Sequence, residues 1–243
     1  MKRGQVVRLI GALIAAAILT TPVRAQPDDS VRHRQVYNLN VITLGMSLYY
    51  SHHGRLPQSL RDLMDGNWVP GNLANACTGE TITGDSTDAE PGGYLIECLG
   101  NEGMRLTYFR DGRNTVLEYD LEELMIGPER LTLEEARTHL WMSWAFRCLQ
   151  AYEGITDELP ESIDDLIEAG FWPFRGVTNM VTGKPMAFDS DNPGDMHWVF
   201  KDNLIGVRFT LPPTPRGGRK PTVVLEYPTP SGRVIYVESN ESS

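Results

Sequence analysis

Apolar residues fall on one stripe at Leu39, Ile42, Met46 and Tyr49, and again, 103 residues further on, at Met142, Ala145, Leu149 and Tyr152. Intervals of three and four are the period of an amphipathic helix, so the pattern predicts two long helices, each with an apolar face that needs a sheet to cover. Thr132 followed by Glu135 has the spacing of a capping box and marks the start of the second helix. After each helix a Leu-Pro pair, Leu56-Pro57 and Leu159-Pro160, holds the residue before the proline extended. Ser59 with Asp62, and Ser162 with Asp165, then predict two short capped helices. Trp68, and Phe171 with Trp172, precede Pro70 and Pro173 and are expected to plug the junction between helix and sheet.

Downstream the period shortens. Residues 94–99, 104–109 and 115–119 are short runs rich in aromatic and branched side chains, separated by Gly103 and by a turn at residues 111–114. The second stretch repeats this at 197–201, 205–211 and 222–227 and adds a last run at 233–237. Short runs bounded by turn residues predict antiparallel meanders. Strands that follow a helix, instead of alternating with helices, define an α+β fold and exclude a doubly wound parallel sheet.

The two stretches also match residue by residue. Leu56-Pro57-Gln58-Ser59-Leu60-Arg61-Asp62-Leu63 aligns with Leu159-Pro160-Glu161-Ser162-Ile163-Asp164-Asp165-Leu166. Asn75, Thr78 and Gly79 then align with Asn179, Thr182 and Gly183, and Pro91-Gly92 with Pro193-Gly194. Gly103, Arg105 and Thr107 align with Gly206, Arg208 and Thr210, and Val116-Leu117-Glu118-Tyr119 recurs as Val224-Leu225-Glu226-Tyr227. Collinear matches of this kind read as a duplication. The chain divides into a leader at 1–25 and two units at 26–124 and 125–243, each a long N-terminal helix packed on a small antiparallel β-meander. Between the units, Leu124, Met125 and Ile126 form an apolar connector, which predicts packed units and not a flexible string.

Composition sets the compartment. Lys2, Arg3 and Arg8 precede an apolar run at 9–21, too short for a membrane span of about 20 residues, and Val23-Arg24-Ala25 supplies a cleavage site before Gln26. This reads as a secretory signal peptide, with an uncleaved anchor as the alternative. The expected product is exported, periplasmic or extracellular, with no stable span after cleavage. Export permits disulfides. Of three cysteines, Cys148 lies on an apolar helical stripe with Trp141 and Trp144 and is expected to be a buried thiol, which by elimination leaves Cys77 and Cys98 as the pair to bridge. The alternative is three free thiols. A net charge of −10 argues against nucleic acid as a partner, because that affinity rests on clustered cations. The basic run Arg216-Gly217-Gly218-Arg219-Lys220 is a single loop tip, read as an exposed contact for an acidic partner or for nothing.

The helix, the phrase Tyr49-Tyr50-Ser51-His52-His53-Gly54-Arg55-Leu56-Pro57-Gln58-Ser59-Leu60, the Thr-Gly turn and the meander together resemble the soluble part of type IV pilin-like proteins, in particular the major pseudopilins of type II secretion. The second unit is similar in Tyr152, Leu159-Pro160-Glu161-Ser162-Ile163-Asp164-Asp165-Leu166 and Asn179-Met180-Val181-Thr182-Gly183. The resemblance implies a helix-and-meander head and an association with a secretion or pilus-type system. Fibre-forming subunits of that family carry Gly followed by Phe at the peptidase site and a Glu beyond it; here Gly4 is followed by Gln5 and the Glu position holds Leu9. Pro22 and Pro27 would also interrupt the continuous helix that polymerisation needs.

The remaining chemistry is sparse. His52 and His53 are adjacent on a helix and point to different faces, so they read as a helix terminus more readily than as a metal pair. Asp189, Asp191, Asn192 and Asp195 crowd one turn, a candidate calcium site because calcium takes closely spaced oxygens, although Pro193 and Phe200 break the EF-hand pattern. A calcium site near the end of the domain is also implied by the pseudopilin resemblance. The first unit has Asp85, Asp88 and Glu90 in the matching region, and a solvated acidic turn is the competing reading. No catalytic motif and no resident cofactor is indicated. Two function classes follow: a non-enzymatic envelope or interaction protein with a protein partner, or a secreted hydrolase or sugar-active enzyme whose facing carboxylates the sequence does not reveal.

Overall fold

The computed structural model describes residues 29–238 apart from 88–89, 101, 111–113, 128, 202–203, 212–220 and 228–233. The expected leader at 1–25 and the basic run at 216–220 lie outside the described residues. Helix α1 (Asp29–His53) leads to the short α2 (Leu60–Asp65) and to strands β1 (Tyr94–Cys98), β2 (Gly103–Tyr108) and β3 (Thr115–Asp120). After α3 (Leu121–Leu124) the order repeats with α4 (Leu133–Thr156), α5 (Ile163–Glu168), β4 (Met196–Lys201), β5 (Leu204–Thr210) and β6 (Pro221–Tyr227), and β7 (Val234–Glu238) is added. The fold is α+β, with two separate antiparallel sheets in the orders β1-β2-β3 and β4-β5-β6-β7.

Local chemistry builds these elements as expected. The Ser59 hydroxyl accepts from Asp62 N at 3.0 Å, and Ser162 from Asp165 N at 3.3 Å, which satisfies the free amides that start α2 and α5. Thr132 and Glu135 exchange the two bonds of a capping box at the start of α4. Ile42, Met46, Met142, Ala145 and Leu149 are buried as their stripe requires.

The helices bury more than that stripe. Val41 and Leu48 are also fully buried; α1 packs along α4, and its Thr43 hydroxyl meets Tyr119 Oη of β3 at 3.1 Å. The helices run antiparallel. Leu131 N donates to Ser51 O at 3.0 Å where α1 ends and α4 begins, while His33 near the start of α1 lies beside Gly154 near the end of α4. One hydrophobic core runs through both halves, with Leu124 of the connector fully buried in it.

Strand pairing corrects one part of the residue matching. Leu106 opposes Leu117 in the first sheet, and Val207 opposes Leu225 in the second. With the Val-Leu-Glu-Tyr runs superimposed, Arg105 therefore corresponds to Gly206, and Thr107 to Arg208, two residues away from the alignment by identity. A two-residue slip leaves every side chain on its original face, so the pattern of apolar positions cannot detect it.

Candidate functional site

The strongest constellation lies where the halves meet. In α1 the Arg34 guanidinium donates to Ala169 O at 2.8 Å and to Gly170 O at 3.0 Å, at the end of α5. In α4, Arg137, the residue 103 positions on, donates to Gly66 O and Asn67 O at the end of α2. Each arginine also stacks on the aromatic residue that follows: Arg34 lies 4.5 Å from the Phe171 ring centre and Arg137 lies 4.2 Å from that of Trp68. The two contacts exchange under a two-fold operation, the geometry of an isologous interface. Burial lowers both guanidinium pKa values, that of Arg137 to about 10, so both stay cationic at neutral pH. The carbonyls that close α2 and α5 are helix-end acceptors with excess negative character, and each planar fork reaches a pair of them.

Trp68, Phe171 and Trp172 are buried, as the sequence indicates: Trp172 packs 5.3 Å from Trp198 of β4, while Trp68 and Phe171 also receive the arginine of the other half. Tyr37 of α1 adds an edge contact to Phe171 at 5.3 Å. His52 and His53 both lean on Trp68, at 5.7 and 5.6 Å, and the His52 ring nitrogen lies 3.0 Å from Leu131 O. His52 is thus half-buried against Trp68, while His53 stays exposed at the helix terminus. Trp141 and Trp144 meet Phe209 and Phe174 of the second half.

A second pair of equivalent features fixes the loops below the helices. Asn75 Oδ1 accepts from Cys77 N and Thr78 N at 2.8 and 3.1 Å, and Asn179 Oδ1 accepts from Val181 N and Thr182 N at the same two distances. Each Nδ2 donates 3.1 Å to a proline carbonyl, Pro91 O and Pro193 O. The following glycines sit at φ 84° and 83°, where a Cβ would meet the asparagine oxygen at 2.0 and 2.3 Å, which explains Gly92 and Gly194.

The acidic turn does different work from that expected. Asp195 is buried, and its Oδ1 accepts from Asn179 Nδ2 at 2.7 Å and Ala187 N at 3.2 Å. Asp191 lies 3.1 Å from the His197 ring and 3.5 Å from the Arg208 guanidinium. Asn192 N donates to Ser190 Oγ, and Asp189 forms an isolated bridge with His197. The Asp191 and Asp195 carboxylates are thus engaged with different partners, His197 with Arg208 and Asn179 with Ala187 N. No group of three or more His, Cys, Asp or Glu suited to a metal occurs among the described residues. Asp85 of the first half likewise bonds to Leu60 N and Ile96 N; Asp88 lies outside the described residues.

The cysteine pairing is also corrected. Cys77, Cys98 and Cys148 are all free thiols, the first two exposed and the third buried. Cys77 Sγ lies 3.9 Å from Tyr108 Oη, and Tyr108 opposes Tyr94 at the start of β1. Cys98 closes the same strand opposite Met104. Four strand positions at about 3.3 Å each separate Tyr94 from Cys98, so the contact of Cys77 and the position of Cys98 belong to opposite ends of β1. Burial pushes the Cys148 thiol well above its usual pKa, which leaves it protonated and inert.

Two hollows open on the second half. One of about 290 Å³ is lined by Trp172, Phe174, Val177, Met186 and Phe188, with Arg175 at its edge and no carboxylate. The other, about 130 Å³, lies on the outer face of β4, β5 and β6 between His197, Lys201, Arg208 and the single carboxylate of Glu226. Neither brings two carboxylates face to face. Among the described residues no helix is long and apolar enough to cross a membrane. Comparison with protein-family models, with curated proteins and with solved structures returns no match.

Proposed function

We propose that this chain is an exported, non-enzymatic interaction protein of the cell envelope, built from two copies of one pilin-like head and acting beside a secretion or pilus-type system. The observation that carries this reading is the reciprocal clamp, Arg34 on the end of α5 and Arg137 on the end of α2. A clamp repeated in both directions holds two equivalent units in one orientation, as a two-fold interface does in a dimer. The duplication is supported by the matched asparagine turns, whose bonds recur at equal lengths in both halves. Such a body presents two related surfaces at a constant spacing, which suits binding.

The test is fractionation of the producing cells together with in vivo photo-crosslinking from a surface position such as Val116. The expected product begins at Gln26, is recovered from the periplasm or medium, and crosslinks to one distinct envelope protein. A chain that keeps Met1, stays in the cytosol and gives no crosslink overturns the reading.

A further inference from the structure

We infer that the open edge of β3 is a docking site for an extended segment of a partner protein, with apolar residues at alternate positions and lysine or arginine between them. The inference rests on the reading of the chain as an interaction protein and names the surface and the partner's chemistry. The two sheets support it, because among the described residues this edge is covered in one and open in the other. In the second sheet β6 is flanked by β5 on one side and by β7 on the other, with Leu225 opposite Val234 and Val223 opposite Tyr236. In the first sheet β3, which carries the same Val-Leu-Glu-Tyr run, pairs among the described residues with β2 alone.

Burial follows the difference. Val223 and Leu225 are fully buried, whereas Thr115 and Leu117 at the corresponding positions remain partly exposed, and Val116 on the outer face is 50% exposed. Beyond the ladder to β2, no backbone hydrogen bond reaches Thr115 to Tyr119 among the described residues. An open strand edge is a row of unpaired donors and acceptors, and adding a strand satisfies them while alternate side chains supply selectivity.

Charge selects the occupant. Glu118, Asp120, Glu122 and Glu123 are exposed along and just beyond the end of this edge, and Arg105 answers only Glu118 and Glu97. A net charge of −10 disfavours a second copy of the same chain and favours a basic strand.

The experiment is hydrogen exchange on the full chain with the peptide acetyl-Lys-Val-Lys-Val-Lys-Val-Lys-amide. Two controls are used: one peptide N-methylated at alternate residues, and one with glutamate in place of lysine. Exchange at β3 amides is expected to slow on peptide addition while β6, already paired on both sides, is unchanged. Each control should bind at least about tenfold more weakly, since one loses backbone bonds and the other reverses the charge. Absence of β3 protection, or equal protection by the N-methylated peptide, overturns the proposal. So does concentration-dependent β3 protection without peptide, accompanied by dimer in sedimentation, because the occupant is then a second copy. Protection of β3 in a chain that fractionates with the cytosol leaves the docking site standing and removes the envelope reading; export without β3 protection does the reverse.

Discussion

Arg34 and Arg137 hold each other's halves: each guanidinium caps the two carbonyls that end the other half's short helix and lies flat on the aromatic residue that follows. Together with the packing of α1 on α4, the two contacts hold the seam from both sides.

Arg137→Ala is expected to cost about 2 to 4 kcal/mol, and Arg34→Ala somewhat less because Arg34 is less buried. Lysine at either position should rescue little, since an ammonium cannot bridge two carbonyls as a planar fork does. Urea unfolding checks this. The double variant is expected to separate one cooperative transition into two as the seam opens, and a double variant that unfolds as steeply as the parent would show that the clamp is incidental.

Asn179→Ala should destabilise by about 2 to 3 kcal/mol and Asn75→Ala by about 1 kcal/mol. Both remove a turn, but only Asn179 also donates to a buried carboxylate, Asp195, which its loss leaves short of a partner. Thermal melts of the two variants side by side measure the difference.

Thiol labelling of the native chain should find two sites, Cys77 and Cys98, and a third, Cys148, only after unfolding. Adding reductant should leave the counts unchanged. A single site in the unfolded, unreduced chain would instead show that Cys77 and Cys98 are bridged.

Acidification should destabilise the protein through His139 and His53. Burial lowers the pKa of His139, and that of His53 is lowered by burial and then by His52, Arg55 and Arg137. The fold therefore favours the neutral ring. Above the unfolded value of about 6.5 both states are neutral and stability is complete; as pH falls through that value toward the lower folded pKa, the unfolded chain takes up protons first and stability declines. Urea midpoints at pH 7.5 and pH 5.0 check this, and His139→Gln should narrow the difference between them.

The amino-acid sequence by itself determined the features that rest on short-range chemistry. The caps at Ser59, Thr132 and Ser162, the two meanders and the repeated order of elements were all legible, because each depends on a few neighbouring side chains and on one periodicity. What only the tertiary structure decided depends on residues far apart in the chain. The true partner of Arg105 across the sheets is hidden by a two-residue slip that keeps every face the same. Cys77 and Cys98 occupy one segment, yet a strand's length lies between them. Asp191 and Asp195 look like neighbouring ligands, but they stand on either side of a turn, where Arg208 and Asn179 approach them separately. Arg34 and Arg137 carry no local signal, being single cations on helix surfaces until packing brings the far helix ends within reach; their equal spacing in the repeat was the one sign available, and only the antiparallel docking of α1 on α4 gives it physical meaning.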